Sequence, residues 1–431
     1  MKVSIIGTGY VGLPAGAGLA SKGHEVTCVD IDEEKVEKIN RGECPIFEED
    51  LPELLEQVVS EGRLEATTDT EEAVKNSDVT FLAVGTPMKE DGSINLDYIK
   101  EAAEDVGNAL KGKDGYHVVV VKSTVVPTTT EEEIIPILEE ESGKSAGEDF
   151  GVCMNPEFLR EGTALKDFLD PDRIVIGELD ERSGETLEKL YRDFEAPILR
   201  TEVKAAELIK YASNSLLATK ISFINEIGNL CKELGIDVYE VADGVGMDHR
   251  IKRDFLNAGC GFGGSCFPKD VRALIKFMEE KEVEPSILES VIDVNTDQKT
   301  KPVEILEEKI GDLEGKKVAV LGLAFKPGTD DVRNSPAIDM IQELKDKGAK
   351  VKAYDPEAME NMEKIHPDVK YVGSYQEALR GVDAGIIATD WEEFKDIDKD
   401  VLDRMENELI VLGRRIWNKQ GLNGFKGIAW D

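Results

Sequence analysis

"KVSIIGTGYVGLPAGAGLASKGHEVTCVDID" (residues 2–32) is the stretch on which the fold of this chain turns. Its opening, "KVSIIG" (2–7), is short and apolar, as a buried strand is. The turn "GTGYVG" follows, then an apolar helix to about Lys22, then a second strand, "EVTCVDID" (25–32). Gly7, Gly9 and Gly12 fall in this strand–helix–strand unit with the spacing G-x-G-x-x-G. Glycines so placed permit a tight turn, close approach to a pyrophosphate and close packing of helix on strand. The pyrophosphate then rests on the helix N-terminus. Asp30 closes the second strand, where a carboxylate binds ribose hydroxyls and repels a 2′-phosphate, which predicts NAD rather than NADP.

The alternation continues outward. "DVTFLAVGTP" (78–87), "HVVVVKSTV" (117–125), "DFGVCMNPEF" (149–158) and "RIVIGEL" (173–179) read as strands, with helical patterns near 33–40, 50–60, 95–110 and 130–141. Strands alternating with helices make a doubly wound parallel sheet, an α/β fold whose ligands bind at the carboxyl ends of strands. "AVGTP", "KSTVVP" and "NPEFLREG" lie at such ends. From Glu202 to about Gly235 the pattern becomes one long helix, and further helices run to about Gln298. Strand rhythm then returns at 316–331, 349–356, 382–390 and 409–415, without a second G-x-G-x-x-G. The reading is two Rossmann-like domains joined by a long central helix, divided as 1–200, 201–300 and 301–431. Two such domains imply two ligands held face to face.

The formal charge of −37, from 89 acidic and 52 basic residues, argues against nucleic-acid or anionic-membrane partners. An anionic substrate would need a local basic pocket. No run of 18 apolar residues is present to span a membrane. Glycines interrupt the apolar N-terminus, so it reads as strand and helix rather than a signal peptide, and the expected compartment is the cytoplasm. The six cysteines (Cys28, Cys44, Cys153, Cys231, Cys260, Cys266) form no C-x-x-C pair, which predicts neither a disulfide framework nor a metal site.

Several residues carry candidate chemistry. "GCGFGGSCFPKD" (259–270) places Cys266 after Gly-Gly-Ser and before Lys269 and Asp270. Backbone N–H groups of such a loop bind anions, and a thiolate is a nucleophile. Lys210 and Asn214 are four apart on the long helix and share a face. Lys210 either snorkels to solvent or stabilises an alkoxide or oxyanion. Glu157 and Glu161 in "NPEFLREG" read as surface carboxylates or as site residues. Thr124 in "KSTVVP" alone reads as a turn hydroxyl. An NAD site beside a cysteine nucleophile suits two successive oxidations, alcohol to aldehyde and then, through a thiohemiacetal and thioester, to acid.

Taken in order, "GTGYVG", "VGTP", "KSTV", "NPEFLREGTA", "AAELIKYASNSLLATKISFINEI", "GCGFGGSCFPKD" and "GLAFKPGTDDVRNSP" resemble the UDP-glucose/GDP-mannose dehydrogenase family over essentially the whole chain. The resemblance implies a homodimer, or a higher homo-oligomer, built on the central helix. It implies oxidation of UDP-glucose by two NAD, with water, to UDP-glucuronate. It makes Cys266 the nucleophile, Lys210 and Asn214 the oxyanion stabilisers and Asp270 the residue that orients water. Glu157 and Thr124 become partners in proton transfer or water placement. For the cofactor it implies Gly7, Gly9, Tyr10, Val11, Gly12, Asp30, Lys35, Thr86, Thr124, Glu161 and Arg333. For the sugar nucleotide it implies Phe158, Leu159, Arg160, Lys210, Asn214, Arg250, Phe262, Gly263, Phe325, Lys326 and Arg414, with Arg250 reaching the neighbouring subunit's substrate. Asn257 stands where relatives often carry lysine, and Leu412 where an aspartate commonly precedes Gly-Arg.

Three rival readings remain. The same chemistry suits GDP-mannose or UDP-N-acetylmannosamine. A sugar-nucleotide epimerase would carry Tyr-x-x-x-Lys, and no tyrosine here has a lysine four residues on. A non-catalytic NAD sensor would have no need of Cys266, Lys210, Asn214 and Asp270 together.

Overall fold

The computed structural model describes residues 1–417 and the backbone of 425–427. Its chain divides into two units, Met1–Ser213 and Asn214–Asp431.

The first unit holds one sheet of eight strands: β1 (Lys2–Ile6), β2 (Glu25–Val29), β3 (Leu64–Thr67), β4 (Val79–Leu82), β5 (Val118–Val121), β6 (Gly151–Met154), β7 (Ile174–Glu178) and β8 (Ile198–Glu202). Their order is β3-β2-β1-β4-β5-β6-β7-β8. The direction reverses between β1 and β4, the switch point where dinucleotides bind in such sheets. The helices are α1 (Gly12–Ser21), α2 (Glu33–Asn40), α3 (Leu51–Ser60), α4 (Thr70–Lys75), α5 (Asp97–Lys111), α6 (Ile135–Ser142), α7 (Ala164–Leu169) and α8 (Glu181–Leu190).

β5 is four valines, and successive side chains serve opposite faces. Val118 and Val120 pack in the core with Leu13 of α1, Leu55 of α3 and Phe168 of α7. Val119 and Val121 pack with Val106 of α5 and Leu138 of α6. A sheet covered on both faces explains why these strands are continuously apolar. The doubly wound α/β expectation holds, with one refinement: β7 runs antiparallel to β6. The chain therefore does not cross back between them, and the segment 155–173 stays at the carboxyl edge with the other ligand-side loops.

α9 (Val203–Leu234) is the long helix expected at 202–235. α10 (Val238–Gly246), α11 (Phe267–Glu280) and α12 (Ser286–Ile310) follow it. The second sheet is wholly parallel, in the order β11-β10-β9-β12-β13-β14. Its strands are β9 (Lys317–Leu321), β10 (Lys350–Tyr354), β11 (Lys370–Tyr371), β12 (Ala384–Ile387), β13 (Ile410–Leu412) and β14 (Phe425–Gly427). α13 (Pro336–Asp346) covers one face through Met340 and Ile341. Among the described residues no helix is long and apolar enough to cross a membrane.

Candidate active site

In the first unit the glycine turn is tight for steric reasons. Gly7 has φ +101°, and a Cβ on it would meet the Ala83 carbonyl oxygen at 2.8 Å. A Cβ on Gly12 would fall 1.9 Å from the Gly7 oxygen, so only glycine lets α1 approach β1 this closely. A Cβ on Gly9 would meet nothing within 4 Å, so that side of the backbone is open to a phosphate. The first turn of α1 carries no acidic side chain to compete for its N–H groups. Tyr10 and Val11 complete the turn, half-buried.

Asp30 follows β2 and accepts hydrogen bonds from the Thr8 N–H at 3.1 Å, from the Thr8 hydroxyl and from the Asp32 N–H at 3.1 Å; Lys35 stands 3.9 Å away. Burial works to raise its pKa, but the Thr8 and Asp32 hydrogen bonds and the Lys35 charge hold it below the ordinary aspartate value. The residues fit an NAD-type dinucleotide: a glycine cradle, an unopposed helix N-terminus and an ionised acid for a ribose. The acid at the matching place in the second sheet is spent. Asp355, after β10, is fully buried and accepts from the backbone N–H groups of Leu323, Ala324, Glu357 and Ala358 and from the Trp391 indole.

The strand-end loops of this unit converge. Thr86 donates its hydroxyl to the Thr124 carbonyl at 2.7 Å, joining "VGTP" to "KSTV". Lys210 does not reach solvent: its Nζ lies 2.8 Å from Glu157 Oε1, with 3% and 7% of the two side chains exposed. The other Glu157 oxygen accepts the Leu159 N–H at 2.6 Å. Burial pushes the Glu157 carboxyl up, and Lys210, the Leu159 N–H and Lys122 outweigh it, so the group sits below the ordinary glutamate value. The Phe158 ring carries the Arg173 guanidinium at 3.8 Å and Lys210 Nζ at 5.6 Å. Glu161 is half-buried, whereas Arg160 is exposed and paired with Asp167 at 2.5 Å.

In the second unit Cys266 is the one exposed cysteine of the six, and none of the six is in a disulfide. It is the N-cap of α11, where negative charge is favoured. One turn on, Asp270 is buried, and its Oδ2 accepts from Asn214 Nδ2 at 2.6 Å. Lys269 pairs with the other oxygen at 2.7 Å. The loop glycines make room for neighbours. A Cβ on Gly263 would lie 2.4 Å from the Asn334 oxygen, and one on Gly264 2.8 Å from the Phe325 ring. Gly259 likewise clears the Arg414 guanidinium, which donates to the Gly261 carbonyl. Phe262 is buried edge-on to Phe267, centroids 5.9 Å apart, and its N–H donates to Asn295 Oδ1 at 2.6 Å. Lys326 lies 5.7 Å from the centre of the Phe325 ring. Arg333 and Arg250 are both exposed and each pairs with a nearby acid, Asp331 and Asp248.

Sequence reasoning missed Lys122, Asn155, Asn295 and Glu48, all buried. Lys122 left a signal, a charge directly after four valines. Glu48, distant in sequence from the loop it holds, left none.

The comparisons with known proteins follow this anatomy. Residues 1–195 match the NAD binding domain of the UDP-glucose/GDP-mannose dehydrogenase family, 204–297 its central domain and 319–419 its UDP binding domain. A UDP-glucose 6-dehydrogenase of Haloferax volcanii, AglM, is 48% identical across 98% of this chain and 99% of its own. The solved UDP-glucose dehydrogenase of Pyrobaculum islandicum is 44% identical, with TM-score 0.94 over 100% of this chain and 98% of that one. A UDP-D-ManNAc dehydrogenase of Pyrococcus horikoshii is 30% identical, with TM-score 0.88 over 100% and 99%. Motifs, chain order and fold agree along the full length: the chain belongs to the UDP-glucose/GDP-mannose dehydrogenase family, as an oxidoreductase that uses NAD.

Proposed function

We propose that this protein oxidises UDP-glucose at C6 to UDP-glucuronate in two steps, with Cys266 as the covalent nucleophile. The observation that carries the reading is the placing of Cys266. It is exposed at the start of α11, one turn from the buried Asp270–Asn214 pair. Bound NAD supplies a hydride acceptor for each oxidation. Gly7, Gly9, Tyr10, Val11 and Gly12 would hold its pyrophosphate, Asp30 and Lys35 its ribose, and Thr86, Thr124, Glu161 and Arg333 the remainder.

The chain's own groups act on the sugar. Lys210, fixed by Glu157, stabilises the C6 alkoxide as the hydroxyl proton leaves through Glu157 or a Thr124-held water. Loss of the first hydride from C6 turns the alkoxide into the aldehyde, which takes the Cys266 sulfur at C6, and its oxygen becomes an oxyanion stabilised by Lys210 and Asn214. Loss of the second hydride from C6 leaves a thioester. Asp270 orients a water that adds to the thioester carbon; the C–S bond breaks, Cys266 leaves as thiolate and the acid is released. Phe158, Leu159, Arg160, Phe262, Gly263, Phe325, Lys326 and Arg414 would hold the sugar nucleotide, with Arg250 offered to a second subunit.

The same reading divides the chain into 1–200, 201–300 and 301–431, and pairs two copies along α9. Leu216, Phe223 and Leu230 recur every seven residues on that helix and are each more than half exposed, which supports a second copy covering them. The proposed compartment is the cytoplasm, where thiols stay reduced.

The test is the NADH yield per limiting sugar nucleotide with excess NAD. Two NADH per UDP-glucose, with GDP-mannose and UDP-N-acetylmannosamine silent, is expected. One NADH removes the covalent second step, and a better yield from another sugar moves the substrate.

A further inference from the structure

Lys122 is a buried charge that the roles above leave unused. It is 4% exposed and sits directly after β5. Its Nζ donates to Asn155 Oδ1 at 3.0 Å and to the Asn155 carbonyl at 3.4 Å. The Tyr191 hydroxyl donates to the same Oδ1 at 2.6 Å, and Asn155 Nδ2 donates to the Val175 carbonyl at 2.8 Å. Phe81 and Phe168 each present a ring face 5.9 Å from Nζ. Lysines are almost never fully buried unless paired. This one directs its hydrogen bonds to Asn155, two residues before Glu157, and to no carboxylate among the described residues.

We propose that Lys122 is a positioning residue for Glu157: it anchors the Asn155-Pro156-Glu157 turn and faces the carboxylate with a second positive charge beside Lys210. The proposal rests on the dehydrogenase reading only in giving Glu157 a role. Two positive charges, Lys210 from α9 and Lys122 from the end of β5, favour the ionised form of Glu157. Burial brings Lys122 down to about 8, against the pull of Glu157 and with the repulsion of Lys210, so it remains largely protonated at neutral pH. The far end of the same loop is held differently. Glu48 accepts the N–H groups of Gly162, at 2.9 Å, and Ala164. That contact fixes the loop without adding a positive charge beside Glu157.

The experiment uses the full chain labelled with carboxyl-13C glutamate, the Glu157 resonance being the one lost in Glu157→Gln. Lys122→Met removes charge and hydrogen bonds; Lys122→Gln keeps a donor for Asn155 and removes the charge alone. Both are expected to raise the Glu157 titration midpoint by about one pH unit. The acid limb of kcat should move up with it, while KM for UDP-glucose changes less than about twofold. Glu48→Gln should leave the midpoint in place. An unmoved midpoint in a folded Lys122 variant overturns the proposal. So does an equal shift in Glu48→Gln, which would assign the effect to loop disorder. Failure of both Lys122 variants to melt cooperatively also overturns it, making Lys122 a residue of the fold. The titration needs no turnover. If the midpoint rises and no sugar nucleotide yields NADH, the positioning role stands and the substrate reading falls.

Discussion

Asn214 Nδ2 donates to Asp270 Oδ2 across 2.6 Å, with both side chains buried. The Asp270 N–H in turn donates to the Cys266 carbonyl at 2.8 Å, so the carboxylate belongs to the same helical turn as the thiol. Asp270→Asn keeps the volume and removes the charge proposed to orient water. The expected result is a burst of NADH followed by turnover about 100-fold slower, with a sugar adduct on Cys266 detectable by mass. Steady turnover without an adduct would take Asp270 out of the hydrolytic step.

Cys266→Ser should abolish net acid formation, because a serine hydroxyl is a far weaker nucleophile than a thiolate. Slow alcohol–aldehyde exchange can persist in that variant. The readout is product analysis by chromatography, and two full oxidations would refute the role of Cys266.

Asp30→Ala removes the carboxylate that would repel a 2′-phosphate. The ratio of kcat/KM for NAD over NADP should fall by about tenfold or more. An unchanged ratio would contradict the ribose assignment.

His117 predicts the acid limb of stability. Its Nε2 lies 2.8 Å from the Thr80 hydroxyl and its Nδ1 3.2 Å from the Ser77 carbonyl, in the core of the first sheet. Burial, helped by Lys113, brings its pKa down to about 3. Between the ordinary histidine value and that one, the unfolded chain binds a proton that the folded chain does not. Stability from this group is therefore present above about 6.5 and is lost as pH falls toward 3, by an amount on the order of 2–5 kcal/mol. Urea unfolding across this range should show a shallower fall for His117→Gln than for the parent. Parallel curves would exclude His117 as the cause.

Phe223, 52% exposed on α9, should be central to pairing of two copies. Phe223→Asp places a charge on that face and should shift the protein to monomer at micromolar concentration, read by sedimentation. A persistent dimer would put the interface elsewhere.

The strands legible in the sequence and those that were not divide by position. Interior strands such as β5 "VVVV" and β12 "AGII" are apolar throughout because both their faces are covered. The strands left unread are β3 "LEAT", β8 "ILRTE", β11 "KY" and β14, and these four are the edges of the two sheets. Edge strands are short and polar, as protection against pairing with other chains requires, and so lose the apolar signal. The site divides in a similar way. Spacing alone placed Lys210 and Asn214 on one helix face, and glycine content marked the Cys266 loop. The partners that hold these groups, Glu157 for Lys210 and Asn295 for Phe262, come from remote segments joined only by folding.

The glycine-rich loop and the turn that follows β9 are fitted to each other at atomic contact: Gly263 against Asn334, Gly264 against the Phe325 ring, and the Gly264 N–H bonded to the Arg333 carbonyl at 2.8 Å. For redesign this makes 259–266 and 325–334 a single cassette. Grafting either segment alone from a relative would break these contacts and displace Cys266, so a transplant that keeps the Cys266 loop in place has to carry both.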